Sequence, residues 1–208
     1  MTDVRVLYQG AEALIEKTVW HDLPAVCKHR LSKSYRLHHI DHLLITQRTK
    51  EEAKLMMHAR QSGVSVPLLY DVDMKKGCLT MEYIPGSRVK DMFSAFSSVQ
   101  QHQLCQTIGG CIARLHNNGV IHGDLTTSNM IIDDDQLTFI DFGLGTLSHE
   151  DEQRGVDLHV LMEAFESTHS EYPDSFKKVW KGYEKAFDGD ASCVLQKIKD
   201  IIRRGRYR

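Results

Sequence analysis

The sequence predicts an α+β chain of two lobes, a small β-rich lobe followed by a short helical one. Three observations lead there: strand-type stretches with one helical stretch among them before Pro85, a break at Pro85-Gly86, and apolar residues at helical spacing beyond it. The 208 residues are 41 % hydrophobic and 26 % charged, which is globular usage with enough chain for one large domain or two small lobes sharing a cleft. The expected division is residues 1–84, then 85–202, then a basic tail at 203–208.

In the first lobe, Thr18 to Trp20 and Ala25 to Lys28 read as short strands around the turn-prone His21-Asp22-Leu23-Pro24. A helix is expected from Arg48 to Gln61, stopped by Ser62-Gly63. Val64 to Val72 and Cys78 to Tyr83 read as strands joined by Met74-Lys75-Lys76-Gly77. In the second lobe, Leu104, Ile108, Ile112 and Leu115 mark a helix that ends at Asn117-Asn118-Gly119. Met130 to Ile132 and Leu137 to Ile140 form a hairpin around Asp133-Asp134-Asp135. Three further helices are marked by Val156 to Phe165, by Phe176 to Phe187 and by Val194 to Ile202.

Composition removes several classes of function. No apolar run approaches the ~20 residues that span a bilayer, so no membrane association is expected. No basic-then-apolar leader precedes Gly10, and a cytoplasmic or nuclear location is expected. Lys and Arg total 26 against 28 Asp and Glu, a net charge of −2 that neither demands nor excludes nucleic acid. Five cysteines, an odd number without a C-x-x-C pair, argue against a disulfide framework or a structural zinc site and for a reducing compartment. His29, His38, His39 and His42 lack metal-ligand spacing and read as surface histidines.

The chemistry sits in His122-Gly123-Asp124-Leu125-Thr126-Thr127-Ser128-Asn129, followed by Ile140-Asp141-Phe142-Gly143. Asp124, Asn129 and Asp141 recur at fixed spacing, and the hairpin between the last two folds Asp141 back toward Asn129. Asn129 and Asp141 offer one neutral and one anionic hard oxygen, as Mg²⁺ prefers. Asp124 is placed to take or orient the proton of an attacking hydroxyl or water. Asp and Asn also collect in turns by bonding nearby backbone, but that explains one such residue and not three at this spacing.

This block resembles the protein-kinase catalytic loop H-R-D-L-x-x-x-x-N and the D-F-G motif. The resemblance implies a reduced, bilobal protein-kinase-like fold using ATP and Mg²⁺, with Asp124 catalytic and Asn129 and Asp141 on the metal. Ala25-Val26-Cys27-Lys28 resembles the V-A-I-K strand, so Lys28 would meet the α- and β-phosphates and Glu52 would pair with it, with Glu51 the competing choice. Gly10 is the one glycine where kinases carry a glycine-rich loop. Met81-Glu82-Tyr83-Ile84 would be the hinge, with Glu82 and Ile84 meeting adenine. Gly123 stands where the usual arginine meets a phosphorylated activation loop, and only Leu144 to Arg154 separate the motif from the next helix. Both departures point away from a regulated kinase with many protein substrates.

Nearly the whole chain is similar to the small atypical serine/threonine kinase (ATPase) subunit of the KEOPS (EKC) tRNA-modification complex. The likeness runs through Gln9 to Ala13, Lys28-His29-Arg30, Arg48 to Ala53, the two motif blocks, Val156-Asp157-Leu158 and the ending Arg203-Arg204-Gly205-Arg206-Tyr207-Arg208. It implies a partner threonylcarbamoyl transferase, other subunits of that complex, and tRNA reached through it. From Lys197 to Arg208 six basic residues face one acid, so Arg203, Arg204, Arg206 and Arg208 are expected to touch tRNA or a partner as a flexible tail. A small-molecule phosphotransferase and a catalytically weak scaffold are the alternatives.

Overall fold

The computed structural model describes residues 5–10 and 12–205. Its contacts divide into two units, one of residues up to Met56 together with Pro67–Pro85, the other of Met57–Val66 together with Gly86 onward. Residues 57–66, expected in the first lobe, belong with the second unit.

The first unit is a five-stranded antiparallel sheet with one helix. Its strands are β1 (Arg5–Gln9), β2 (Ala13–Trp20), β3 (Leu23–Arg30), β4 (Leu69–Asp73) and β5 (Cys78–Glu82), in the order β1-β2-β3-β5-β4. The turn between β2 and β3 needs only His21 and Asp22, whose φ angles of 45° and 67° suit a two-residue hairpin. Leu23 and Pro24, expected in that turn, instead begin β3, and Pro24 is tolerated because it sits at the strand's start. β1 was not expected at all, since its five residues are exposed and carry no inward-facing pattern.

Helix α1 (His38–Gln61) starts ten residues before the expected Arg48. The histidine-rich start hides it from a hydrophobic pattern, and a polar anchor replaces that pattern. Asp41, buried in the first turn, accepts from Ser32 Oγ at 2.7 Å, Lys33 N–H at 3.1 Å and Arg36 Nη1 at 3.2 Å. These bonds, the Ser32 hydroxyl foremost, hold its carboxyl below the usual carboxylate range. The helix ends before Gly63, whose φ of 73° is the left-handed conformation expected there.

Cys27 and Cys78 are disulfide-bonded, contrary to the expectation from cysteine spacing. They lie 51 residues apart in sequence, and only the β3–β5 pairing brings them together. Cys105, Cys111 and Cys193 are free.

In the second unit, β6 (Ser87–Arg88) leads into the single turn α2 (Val89–Met92) and then α3 (Ser98–Asn117). Ser97 and Gln100 form a capping box that starts α3. After it come β7 (Val120–Ile121), β8 (Met130–Asp133), β9 (Gln136–Phe139) and β10 (Thr146–Leu147). β8 and β9 are the expected hairpin, with β6 on the far side of β8, while β10 pairs with β7. Val64 to Val66, expected as strand, runs instead as an irregular buried segment whose Ser65 carbonyl accepts from Phe139 N–H at 2.9 Å.

The last three elements are α4 (Asp151–Thr168), α5 (Ser175–Ala186) and α6 (Ala191–Gly205). The α3–α5 contact is a close backbone approach. A Cβ on Gly109 would lie 1.9 Å from the Val179 carbonyl oxygen, and one on Gly182 would lie 2.1 Å from that of Gln106. Around this contact Ile108, Ile112, Leu115, Val179 and Tyr183 are fully buried. Arg203 and Arg204, expected in a flexible tail, are the last turn of α6. Arg203 bonds Asp200 at 3.1 Å and Arg204 bonds Glu152 of α4 at 2.8 Å.

Either Gly109→Ala or Gly182→Ala should force the two helices apart and lower stability by about 1–3 kcal/mol. The midpoint of urea unfolding measures it, and an unchanged midpoint would contradict the close approach.

Candidate active site

On β3, side chains alternate between faces, so Lys28 and Arg30 share one face. Glu52, buried on α1, answers both: Lys28 Nζ donates to Oε1 at 2.6 Å and Arg30 Nη2 to Oε2 at 2.5 Å. Glu51, the competing choice, is exposed and accepts from Gln47 at 2.9 Å. The helical step of 100° per residue separates the two glutamates by face. Sequence reasoning gave Arg30 no role in this pair; its place at period two from Lys28 was the available signal.

The other expected residues of the first unit are spread along its strands. Gly10 follows β1 and donates its N–H to the Ala13 carbonyl at 2.9 Å. The Glu82 carboxylate accepts from Leu68 N–H at 3.0 Å, and its own N–H bonds the Leu68 carbonyl at 2.8 Å. Ile84 follows β5, half-buried.

In the second unit the motif residues form a hydrogen-bonded frame. Asn129 sits in a 3-10 turn (Thr127–Asn129), and its Nδ2 donates to the Asp124 carbonyl at 2.9 Å and to Asp124 Oδ2 at 2.8 Å. The Ile140 N–H bonds the Asn129 carbonyl at 3.0 Å, so Asp141 directly follows the residue paired with Asn129. Asp141 has a φ of 63°, unusual outside glycine, and its Oδ1 accepts from Gly143 N–H at 3.3 Å.

His122 ties the two motif blocks together. It is fully buried, its Nε2 lies 3.1 Å from the Ile140 carbonyl, and its Nδ1 accepts from Asp124 N–H at 3.3 Å. These partners assign a neutral ring protonated at Nε2. The Phe142 ring packs against it at 4.5 Å between centroids. Gly123 is dictated by geometry: its φ is 82°, and a Cβ would meet the Leu144 carbonyl oxygen at 2.2 Å.

Beneath the loop lies Asp157 of α4, buried, which sequence reasoning cited only within a family pattern. Its Oδ2 accepts from His122 N–H and its Oδ1 from Gly123 N–H, each at 2.8 Å. His116 Nε2 reaches Oδ2 at 3.3 Å, while His116 Nδ1 lies 3.1 Å from the Tyr183 hydroxyl. The chain Tyr183–His116–Asp157 thus runs from α5 through α3 and α4 to the loop of His122 and Gly123, and burial raises the Tyr183 pKa. In sequence its one mark was a carboxylate set between the apolar Val156 and Leu158.

Arg206 and Arg208 lie outside the described residues. Arg203 and Arg204 sit exposed on α6, engaged as above. No helix among the described residues is long and apolar enough to cross a membrane.

Glu52→Gln should destabilise the chain by about 3–5 kcal/mol, because two buried cations lose their carboxylate. Glu51→Gln should stay within about 0.5 kcal/mol of the parent, and urea midpoints of the two variants decide between them. A second expectation concerns pH. His169, buried beside Phe93 and 3.1 Å from Thr127 Oγ1, has its pKa lowered by burial and then by the Lys90 charge. The unfolded chain therefore takes the proton first, so this contribution is complete above about pH 6.5 and shrinks as pH falls below it. His169→Gln should flatten that acid limb of stability, read as urea midpoints between about pH 7.5 and about pH 5.5.

Comparison with known proteins places the chain in a family. A RIO domain model matches residues 24–175. The KEOPS complex subunit Bud32 of Pyrococcus abyssi is 39 % identical over 213 residues, covering 99 % of this chain and 97 % of that protein. A protein of Methanothermobacter thermautotrophicus, named "Probable bifunctional tRNA threonylcarbamoyladenosine biosynthesis protein", is 44 % identical over 203 residues. This chain spans only 36 % of that relative's length. Among solved structures, the Rio2 kinase of Chaetomium thermophilum, in an ADP/Mg²⁺-phosphoaspartate complex, superposes with a TM-score of 0.67. At 16 % identity, over 99 % of this chain and 71 % of that one, it shows the shared fold. By its RIO domain and its end-to-end match to Bud32, the chain belongs to the RIO-domain family of atypical kinases, in the Bud32 branch.

Proposed function

We propose that the chain binds ATP with Mg²⁺, transfers or hydrolyses the γ-phosphate, and serves as the kinase-like subunit of a KEOPS complex that supports threonylcarbamoyladenosine formation in tRNA. The observation that carries the chemistry is the Asn129–Asp124 pair, closed at 2.8 Å and framed by His122 and Asp157.

The donor set fits a hard divalent cation. Asn129 spends its Nδ2 on Asp124, which turns the amide oxygen, a hard ligand, away from that bond. Asp141 adds an exposed carboxylate held by an unusual backbone conformation. Mg²⁺ in this setting would neutralise charge on the phosphates. Asp124, oriented through Oδ2, keeps Oδ1 to accept a proton from an attacking hydroxyl or water. Lys28, oriented by Glu52, is the donor for α- and β-phosphate oxygens, with Arg30 steadying the same carboxylate. Within this reading serine or threonine hydroxyls are the acceptors in transfer, and water is the acceptor in hydrolysis.

The KEOPS assignment is supported by the full-length match to Bud32 and by the relative named for threonylcarbamoyladenosine biosynthesis. The neighbouring transferase and, through it, tRNA are the partners proposed, with Arg203, Arg204, Arg206 and Arg208 as the basic contacts.

Asp124→Ala and Asp141→Ala should each reduce Mg²⁺-dependent ATP turnover at least about 100-fold with the thermal melt retained. Turnover should rise when a threonylcarbamoyl transferase and tRNA are added together. Equal turnover in parent and variants would reject the catalytic assignment, and indifference to transferase and tRNA would reject the KEOPS assignment.

A further inference from the structure

Outside these motifs, β3 and β5 place a second set of chemically active groups on the opposite face of the sheet. Cys27 and His29 alternate with Lys28 and Arg30 along β3, so they share the face that Lys28 and Arg30 do not. The antiparallel register sets Cys78 directly across from His29 and Thr80 across from Cys27. One ligand atom from each of Cys27, His29 and Cys78 lies within 4.8 Å of the others.

We infer that Cys27, His29 and Cys78, when the cysteines are reduced, bind a thiophilic divalent cation, with Zn²⁺ the best chemical match. Two thiolates and an imidazole are the soft-to-borderline donors that zinc takes and that Mg²⁺ or Ca²⁺ does not. Three protein ligands leave a fourth tetrahedral position for water. Cys78 is buried, whereas the His29 side chain is 37 % exposed, so the cation would have protein on one side and a solvent path on the other. Behind the histidine stands Glu16 of β2, with Oε2 3.3 Å from His29 Nε2. A carboxylate in that place fixes the tautomer and orientation of a ligating histidine. The other thiols do not compete: Cys105 and Cys111 are buried, and burial pushes the Cys105 thiol up to about 11. Cys193 is exposed without a companion in the set.

The disulfide and the metal are alternative states of the same sulfurs. A phosphine reductant breaks the Cys27–Cys78 bond by delivering two electrons, and two protons from water give two thiols while the phosphine becomes its oxide. The cation then forms two metal–sulfur bonds as the thiols release two protons to solvent. Oxidation closes the site and reduction opens it, independently of nucleotide chemistry.

The test uses the full chain, stripped of metal and reduced with a phosphine. Titration with Co²⁺ should saturate at one ion per chain with a thiolate-to-cobalt absorption band, and Zn²⁺ should displace it. Glu16→Gln should weaken binding by about 10–100-fold. Cys27→Ser, Cys78→Ser and His29→Ala should lose the band, and Cys193→Ser should keep it. The oxidised chain should bind nothing. Melting curves accompany each variant, and His29→Ala, at a partly exposed position, decides the matter should a cysteine variant fail to fold. Absence of a stoichiometric band in the reduced parent, or its survival in His29→Ala, would overturn the site.

Discussion

The second unit depends on a carboxylate with no access to water. Burying an ionised group costs several kcal/mol unless hydrogen bonds replace its hydration. Asp157 recovers that cost by accepting from the backbone N–H groups of His122 and Gly123 and by facing the His116 ring. The two amides belong to consecutive residues, so the bonds fix the peptide plane between them and, with it, the direction in which Asp124 leaves the loop. The support continues through His116 to the Tyr183 hydroxyl, beside the point where Gly109 and Gly182 let α3 and α5 meet backbone to backbone. Helix packing and loop geometry are in this way one construction: the glycines set how near α5 comes, and that distance sets whether Tyr183 reaches His116.

Gly123 gains a second meaning from the same construction. Its position is where the protein-kinase motif carries an arginine, an exchange that by sequence alone implies the loss of a phosphorylation switch. The structure adds a steric reason. With φ at 82° and the Leu144 carbonyl oxygen 2.2 Å from a would-be Cβ, the residue after the D-F-G block lies where an arginine stem would have to pass.

The first unit solves a related problem by different means. Two cations, Lys28 and Arg30, converge on the single buried carboxylate of Glu52. Period two along β3 puts both on one face, and the same period puts Cys27 and His29 on the other. One strand thus carries a buried ion-pair cluster on one side and a disulfide on the other, with Asp41 pinning the chain between β3 and α1 through Ser32, Lys33 and Arg36.

What was readable from the amino-acid order is what depends on local spacing. The β-then-α division, the hairpin between Asn129 and Asp141, the stop at Gly63 and the three motif residues all follow from periodicity, turn chemistry and fixed intervals within about a dozen positions. Other features rest on partners far apart in the chain, and local pattern carries no record of them. The start of α1 at His38 rests on Asp41 and lacks an apolar stripe. The choice of Glu52 over Glu51 rests on which helical face meets β3. The Cys27–Cys78 bond joins residues 51 apart through sheet register, and Asp157 acts on amides 34 and 35 positions away. A sequence specifies which groups exist and their near neighbours; which distant group supplies a buried charge or a buried amide with its partner is settled only when strands pair and helices pack, because desolvation makes that partner obligatory.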